Sequence, residues 1–193
     1  DCSFSVNPSL QKEFIANTCV TVGETNITNR YTSNIFKESI DNPDKPIAAV
    51  DGFFTNTKST VVVGSQRGAF YMPSKDRIEM PTFSDFRSGV DYYSTLAHEH
   101  VHWTGHKSRL DRSMSSKRRE YAYEELIAEM GAAFLMAHLG LEPTVRPDHT
   151  DYLANWLQAL SNDSKFIFQA ASAATKAVEY MVDAQPQAEQ EAA

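Results

Sequence analysis

His98-Glu99-His100-Val101-His102 decides the reading of this 193-residue chain. The stretch contains His-Glu-x-x-His, a spacing that carries chemistry when it lies on a helix. Ser88 and Asp91 have the Ser-x-x-Asp spacing of a capping box, and Gly105 supplies a stop, so a helix is predicted between Ser88 and Gly105. On that helix His98 and His102 share one face, and both imidazoles reach a single ion without distorting the backbone. Glu99 points about 100° round from His98, beside the ion, where its carboxylate can take a proton from an activated water. With 6 histidines and 13 glutamates, chance puts this pattern into roughly one chain in a hundred of this composition, so unconnected surface histidines are the weaker reading.

A metal centre of this kind takes three protein ligands and keeps a fourth position open. His106 lies beyond the stop at Gly105, and the position six after His102, where a three-histidine pattern needs its last member, is Ser108. The next helix offers carboxylates instead. It is predicted from Glu120 to Leu139, ending at Gly140, with Leu126, Met130, Ala133, Phe134 and Ala137 recurring at three and four. With Leu126 at the centre of the core face, Glu125 and Glu129 form a stripe along one border, whereas Glu120 and Glu124 point to the far side. A border carboxylate reaches the cleft between two packed helices. Glu125 and Glu129 also match the gluzincin plan, in which one carboxylate binds the metal and a second supports a ligand histidine. The expected set is His98, His102 and Glu125 on the metal, Glu129 behind them, and Glu99 as general base. The bland alternative makes Glu125 and Glu129 partly exposed helix charges. Zinc is the expected ion, and Mn2+, Co2+ or Ni2+ suit the same donors.

Eighteen basic against 25 acidic side chains give a net charge of −7, which excludes a generally basic, DNA-coating protein. Residues 107–120 depart from this balance at net +4, with Lys107, Arg109, Arg112, Lys117, Arg118 and Arg119 against Asp111 and Glu120. That segment either greets phosphates or an acidic partner, or is a solvated loop whose arginines pair with the glutamates that follow. No apolar run approaches the roughly 18 residues of a membrane span, and the first twenty residues lack a secretory pattern. A cytoplasmic location is therefore expected. Asp1 rather than a methionine opens the chain, which reads as a trimmed or processed piece. Cys2 and Cys19 are too few for a disulfide scaffold or a cysteine-based zinc site.

At 41% apolar and 22% charged residues, the chain can pack a core, and we read 1–183 as one domain. A short helix over Ser9–Asn17 and a strand over Val20–Val22 are expected first. Two apolar runs, Ile47–Val50 and Val61–Val63, have the composition of strands. Phe70-Tyr71-Met72 and Arg77-Ile78-Glu79-Met80 flank the turn-forming Pro73-Ser74-Lys75-Asp76, so a hairpin is expected there. Pro73 and Pro81 suit an edge position. After residue 84 the pattern is helical throughout, with further helices carrying Tyr152, Trp156 and Leu160, and running from about Asp163 to Val182. Residues 184–193 contain only Ala, Gln, Glu and Pro, the composition of a disordered tail. The fold class is α+β, strands early and helices late.

Several of these stretches together resemble a known family. Phe70-Tyr71-Met72-Pro73, Met80-Pro81, Tyr92-Tyr93, His98-Glu99-x-x-His102-Trp103-Thr104-Gly105-His106 and Ser108-Arg109-Leu110-Asp111-Arg112 look like the metallopeptidase domain of ArdC-type antirestriction proteins. The same domain occurs in plasmid and phage polyvalent proteins and in TraC-type primases. Glu124-Glu125-Leu126-Ile127-Ala128-Glu129-Met130-Gly131 continues the match, as do Asp148-His149, Tyr152, Trp156 and Leu160. Phe14-Ile15-Ala16-Asn17-Thr18 resembles the family's lead-in.

The resemblance covers about residues 10–22 and 68–182. It implies a zincin-like fold, with a small sheet and an edge hairpin followed by a helical half. It also implies a metallopeptidase acting on a protein or peptide, related to the shielding of incoming DNA from host restriction; the alternative is a non-catalytic binding protein that uses the zincin fold as a scaffold. Three departures stand out. There is no counterpart of the usual N-terminal single-stranded-DNA-binding domain, so only weak contact with single-stranded DNA, through Lys117, Arg118 and Arg119, is expected. Residues 24–60 read as an insertion. His100 stands where the family has an apolar residue, which puts a spare imidazole on the neighbouring face.

Overall fold

The computed structural model describes residues 45–112, 118–141 and 165–186. The helix and strand expected over 9–22, both cysteines, the helix expected to carry Tyr152 and Trp156, and most of the expected tail lie outside those residues.

The first described element corrects the sequence reading. Ile47–Val50 opens a helix, α1 (Ala48–Asn56), rather than a strand. The apolar run is too short to separate the two by itself, but Ile47, Val50, Phe53 and Phe54 together have helical spacing, and all four are buried. These residues fall in the stretch read as an insertion, and they belong to the core. The hydroxyl of Tyr93 accepts the N–H of Ile47 at 2.7 Å and donates to Asp51 Oδ1 at 2.9 Å, fixing the start of α1 to the helix that carries the histidines.

Three strands follow: β1 (Thr60–Val63), β2 (Phe70–Met72) and β3 (Arg77–Met80). They form one mixed sheet in the order β1-β3-β2, with β1 parallel and β2 antiparallel to β3. The expected hairpin is β2–β3. Its edge character belongs to β2 alone, because β1 docks on the far side of β3 and makes it central. Ile78 and Met80 are fully buried under the helices, each worth roughly 2 kcal/mol of transfer free energy. The turn places Asp76 in the left-handed region, φ 47°, which an aspartate tolerates better than most residues.

Helix α2 (Gly89–Thr104) starts as expected, with Ser88 Oγ accepting the N–H of Asp91 at 3.1 Å. Twelve of its 16 residues are buried, so this helix is itself core, and a histidine on it is not a surface histidine. Beyond Gly105 the chain turns back under the helix end. The N–H of Leu110 bonds Thr104 O and that of Arg112 bonds Gly105 O, both at 3.0 Å.

Helix α3 (Arg118–His138) ends in a Schellman turn, with Gly140 at φ 71°, Leu141 N–H on Met136 O and Gly140 N–H on Ala137 O. Its buried face is not the predicted one. Glu124, Leu126, Ile127, Ala128, Gly131, Ala132, Leu135, Met136 and Leu139 are buried, whereas Phe134 and Ala137 are exposed. At 100° per residue this face is centred about half a turn from Leu126. Glu124, placed on the far side by the sequence reading, is therefore buried. Glu125 and Glu129 border either face, so they survive the error in phase.

Helix α4 (Lys165–Asp183) turns Ala170, Ala174, Ala177 and Met181 inward, and packs on α3 and α2. Gln185, inside the stretch read as a tail, bonds Asn56 and Phe53 O on α1. Among the described residues no helix is long and apolar enough to cross a membrane.

Candidate metal centre

His98 and His102 come from one face of α2, and Glu125 reaches them from the first half of α3. One donor atom from each lies within 4.8 Å of the others. The two Nε2 atoms are 3.1 Å apart. Glu125 Oε2 is 3.6 Å from His98 Nε2, and its Oε1 is 3.4 Å from His102 Nε2.

The far side of each ring explains this convergence. His98 Nδ1 lies 2.7 Å from Glu129 Oε1, and His102 Nδ1 lies 3.2 Å from Glu124 Oε1. A carboxylate accepts and does not donate, so each Nδ1 carries a proton, and in the neutral ring each Nε2 presents a lone pair. Both Nε2 atoms and the Glu125 carboxylate thus face one point, and once the Nε2 protons leave they offer three lone-pair donors to it. A cation resolves that arrangement. For a tetrahedral ion with ligands at ~2.1 Å, donor–donor edges are ~3.4 Å, and the three separations above bracket that length. The donor set therefore fits a divalent metal.

Burial and charge act in opposite directions on these groups. Burial lowers the His102 pKa, but the carboxylates of Glu124 and Glu125 outweigh it and push the ring up to about 10. Burial likewise opposes protonation of His98, while Glu125 and Glu129 raise it to a net increase. Glu125 is itself held well below the usual carboxylate range, because the two imidazoles overcome the cost of its desolvation. Glu99 is 5% exposed, and its charge acts on both rings.

Glu124 and Arg112 are the participants that sequence reading missed or misassigned. Arg112 grips Glu124 with two bonds, Nη2–Oε1 at 2.8 Å and Nε–Oε2 at 3.0 Å. It also donates to Thr104 Oγ1 at 2.9 Å and to Val101 O at 2.6 Å. Arg109 is committed elsewhere. It pairs with Asp76 on the hairpin turn, donates to Trp103 O and Tyr71 Oη, and lies 4.0 Å over the Trp103 ring. The bond from Arg109 holds Asp76 at a pKa of about 2. Neither arginine is available to phosphates, which removes two of the six cations from the expected basic patch. The side chains of Lys117, Arg118 and Arg119 lie outside the described residues. Tandem glutamates, with an arginine ahead of them in the interhelical loop, were the available signal.

His100 is the spare imidazole, and it is a satisfied core group. Its Nδ1 donates to Leu96 O at 2.7 Å and its Nε2 accepts from Ser59 Oγ at 2.8 Å. The ring packs against Phe54, 4.6 Å between centroids. Burial lowers its pKa to about 4, so it is neutral at pH 7.

Fold and site together define an α+β domain with a histidine pair on a buried helix and a glutamate placed to complete a metal site. The sequence model of the zincin-like metallopeptidases matches residues 48–173, and the chain belongs to that family. The crystal structure of the antirestriction protein ArdC from plasmid R388, in its metal-free form, superposes with a TM-score of 0.67 at 44% identity, covering 74% of this chain and 52% of that one. The Mn(II)-bound form gives 0.68 at 42% identity, covering 78% and 56%. DNA primase TraC of Escherichia coli is 39% identical over 128 residues, 64% of this chain and 12% of the primase. Protein y4eC of Sinorhizobium fredii is 45% identical over 120 residues, 61% of this chain and 38% of that protein. The chain thus spans from about an eighth to little more than half of these relatives.

Proposed function

We propose that this domain is a zinc-dependent peptidase of gluzincin type, with His98, His102 and Glu125 holding the ion and Glu99 as general base. The observation that carries the reading is the convergence of three lone-pair donors beside a buried glutamate that none of them uses. A divalent ion bound there supplies Lewis acidity for an acyl oxygen and acidifies water toward a pKa of ~7. Glu99 takes the proton that the water gives up on attacking the carbonyl carbon, and returns it to the amine nitrogen as the C–N bond breaks. Glu124 and Glu129 hold the imidazoles in one tautomer meanwhile. Among the described residues β2 is paired on one side only, and its open edge suits an extended peptide. Mn2+, Co2+ and Ni2+ are further occupants of the same donors.

The likeness to an antirestriction protein supports a protein substrate tied to host defence or to DNA, met in the host cytoplasm. Contact with single-stranded DNA is a weak accessory, carried by Lys117, Arg118 and Arg119. Glu99→Gln tests the enzyme reading. Metal content stays near one ion per chain, while cleavage of an unfolded protein falls by ~10²–10⁴-fold. A Glu99→Gln chain that binds metal and keeps full biological activity makes the domain a binding scaffold instead.

A further inference from the structure

Glu124 has both carboxylate oxygens occupied at 8% side-chain exposure, one by His102 and both by Arg112. A buried carboxylate at this spot is costly unless it is paired, since Glu125, Glu129 and Glu99 put further negative charge around the same two imidazoles. Arg112 supplies the pairing, and its placement is fixed from the other side. Its guanidinium is anchored to Val101 O and Thr104 Oγ1, which belong to the same last turn of α2 as His102. Backbone turns beyond Gly105 bring it there, with Asp111 in the left-handed region at φ 48°. The loop between α2 and α3 is therefore built so that one arginine spans from the histidine's own helix turn to the carboxylate behind the histidine.

We propose that Arg112 is a positioning residue for the metal centre, acting through Glu124 to orient His102 so that its Nε2 lone pair faces the site. The inference rests on the metal-centre reading and deepens it. Arg112 touches neither metal nor substrate. It holds Glu124 in place as an acceptor; Glu124 holds the Nδ1 proton; the ring is then fixed in the tautomer and rotation that ligation needs. A planar fork does this and a point charge does not, so lysine is a poor substitute.

The test uses the whole chain, stripped of metal and titrated with Zn2+ against a chromophoric chelator, and with Co2+ followed by its visible spectrum. Glu124→Gln, Arg112→Met and Arg112→Lys each weaken metal binding by ~10–100-fold and shift the Co2+ bands, because orienting partners of ligand histidines have effects of that size. The combined Arg112→Met, Glu124→Gln chain loses no more than the worse single variant, since the two side chains act as one unit. Arg109→Gln is the control. It removes an equally buried arginine from the same end of α2, so it lowers the melting temperature of the stripped chain but leaves metal affinity and the Co2+ spectrum unchanged. Wild-type affinity and spectrum in folded Glu124→Gln or Arg112→Lys overturn the proposal, even if Arg112→Met fails to fold; so do additive losses. Glu125→Ala separates the two levels. If it binds Zn2+ like wild type, the metal centre itself is wrong; if it loses Zn2+ while the Arg112 and Glu124 variants do not, only this inference falls.

Discussion

Gly131 is packed against Val101 so closely that a Cβ at position 131 meets Val101 Cγ2 at 2.7 Å and Cγ1 at 3.0 Å. Val101 is fully buried and precedes His102; Gly131 follows Glu129 by two residues. This close approach sets the separation of α2 and α3 where Glu125 and Glu129 reach the histidines. A valine at full burial has no free rotamer to yield into.

Gly131→Ala therefore pushes the helices apart at the site. The expected cost is about 1–3 kcal/mol, the usual scale of overpacking, read as a lower melting temperature. Metal affinity falls with it, because Glu125 withdraws. Adding Val101→Ala to Gly131→Ala makes room for the new methyl and restores part of the metal affinity. Wild-type melting and metal binding in Gly131→Ala contradict the account.

Metal-stripped protein has a characteristic response to alkali. The folded-state pKa of His102 is raised to about 10 and that of His98 is raised too. Their stabilising contribution is complete below the unfolded value of ~6.5 and is lost as pH rises toward 10. Melting temperature of the stripped chain should fall across that window. With the ion bound the protons are displaced, and the fall disappears. Melting curves at pH 6, 8 and 9.5, with and without Zn2+, check both halves.

His100 produces the opposite slope. Its folded-state pKa is lowered to about 4, so its contribution is present above ~6.5 and is lost as pH falls through 4. The full difference is roughly 3 kcal/mol at about 1.4 kcal/mol per pKa unit. In the stripped chain His98 and His102 do not oppose this window, and His138, also lowered by burial, adds to it. His100→Phe flattens the loss of stability between pH 6.5 and 4. It also leaves Ser59 Oγ and Leu96 O short of a partner, so it is less stable than wild type at pH 7.

Single-stranded DNA should bind weakly and with steep salt dependence, at a net charge of −7 and with Arg109 and Arg112 engaged internally. Replacing Lys117, Arg118 and Arg119 by glutamine removes most of that binding and reduces the salt slope by ~0.7 for each phosphate no longer neutralised. Sub-micromolar affinity at physiological salt that survives the triple substitution contradicts this.

The histidine helix was legible because it carries three independent signals: a cap at Ser88, a stop at Gly105 and a motif with fixed spacing. The hairpin was legible from its turn. What failed was phase and context. Leu126, Met130 and Phe134 look like a core stripe on α3, yet the buried face is centred on Ile127, Leu135 and Leu139 with Ala128, Gly131 and Ala132 among them, and the small residues carry little periodic signal. A buried glutamate reads as surface until its arginine is found, and Arg112 is separated from Glu124 by a loop. α1 was missed because Pro46 and Gly52 bracket a run too short to show a period. Glu125 was found through a face that is not the buried one, which is a fortunate property of border positions.

Every donor and every orienting carboxylate of the centre falls within residues 98–129, a single helix–loop–helix. That continuity has a consequence for how such a centre travels among genes. A site assembled from distant parts of a chain is broken by recombination at almost any point; one enclosed in a short contiguous segment is inherited whole. Relatives of which this chain spans anything from 12% to 56% show the domain in company of very different length. In this chain the proposed ligands, their supports and the arginine between them occupy one contiguous segment.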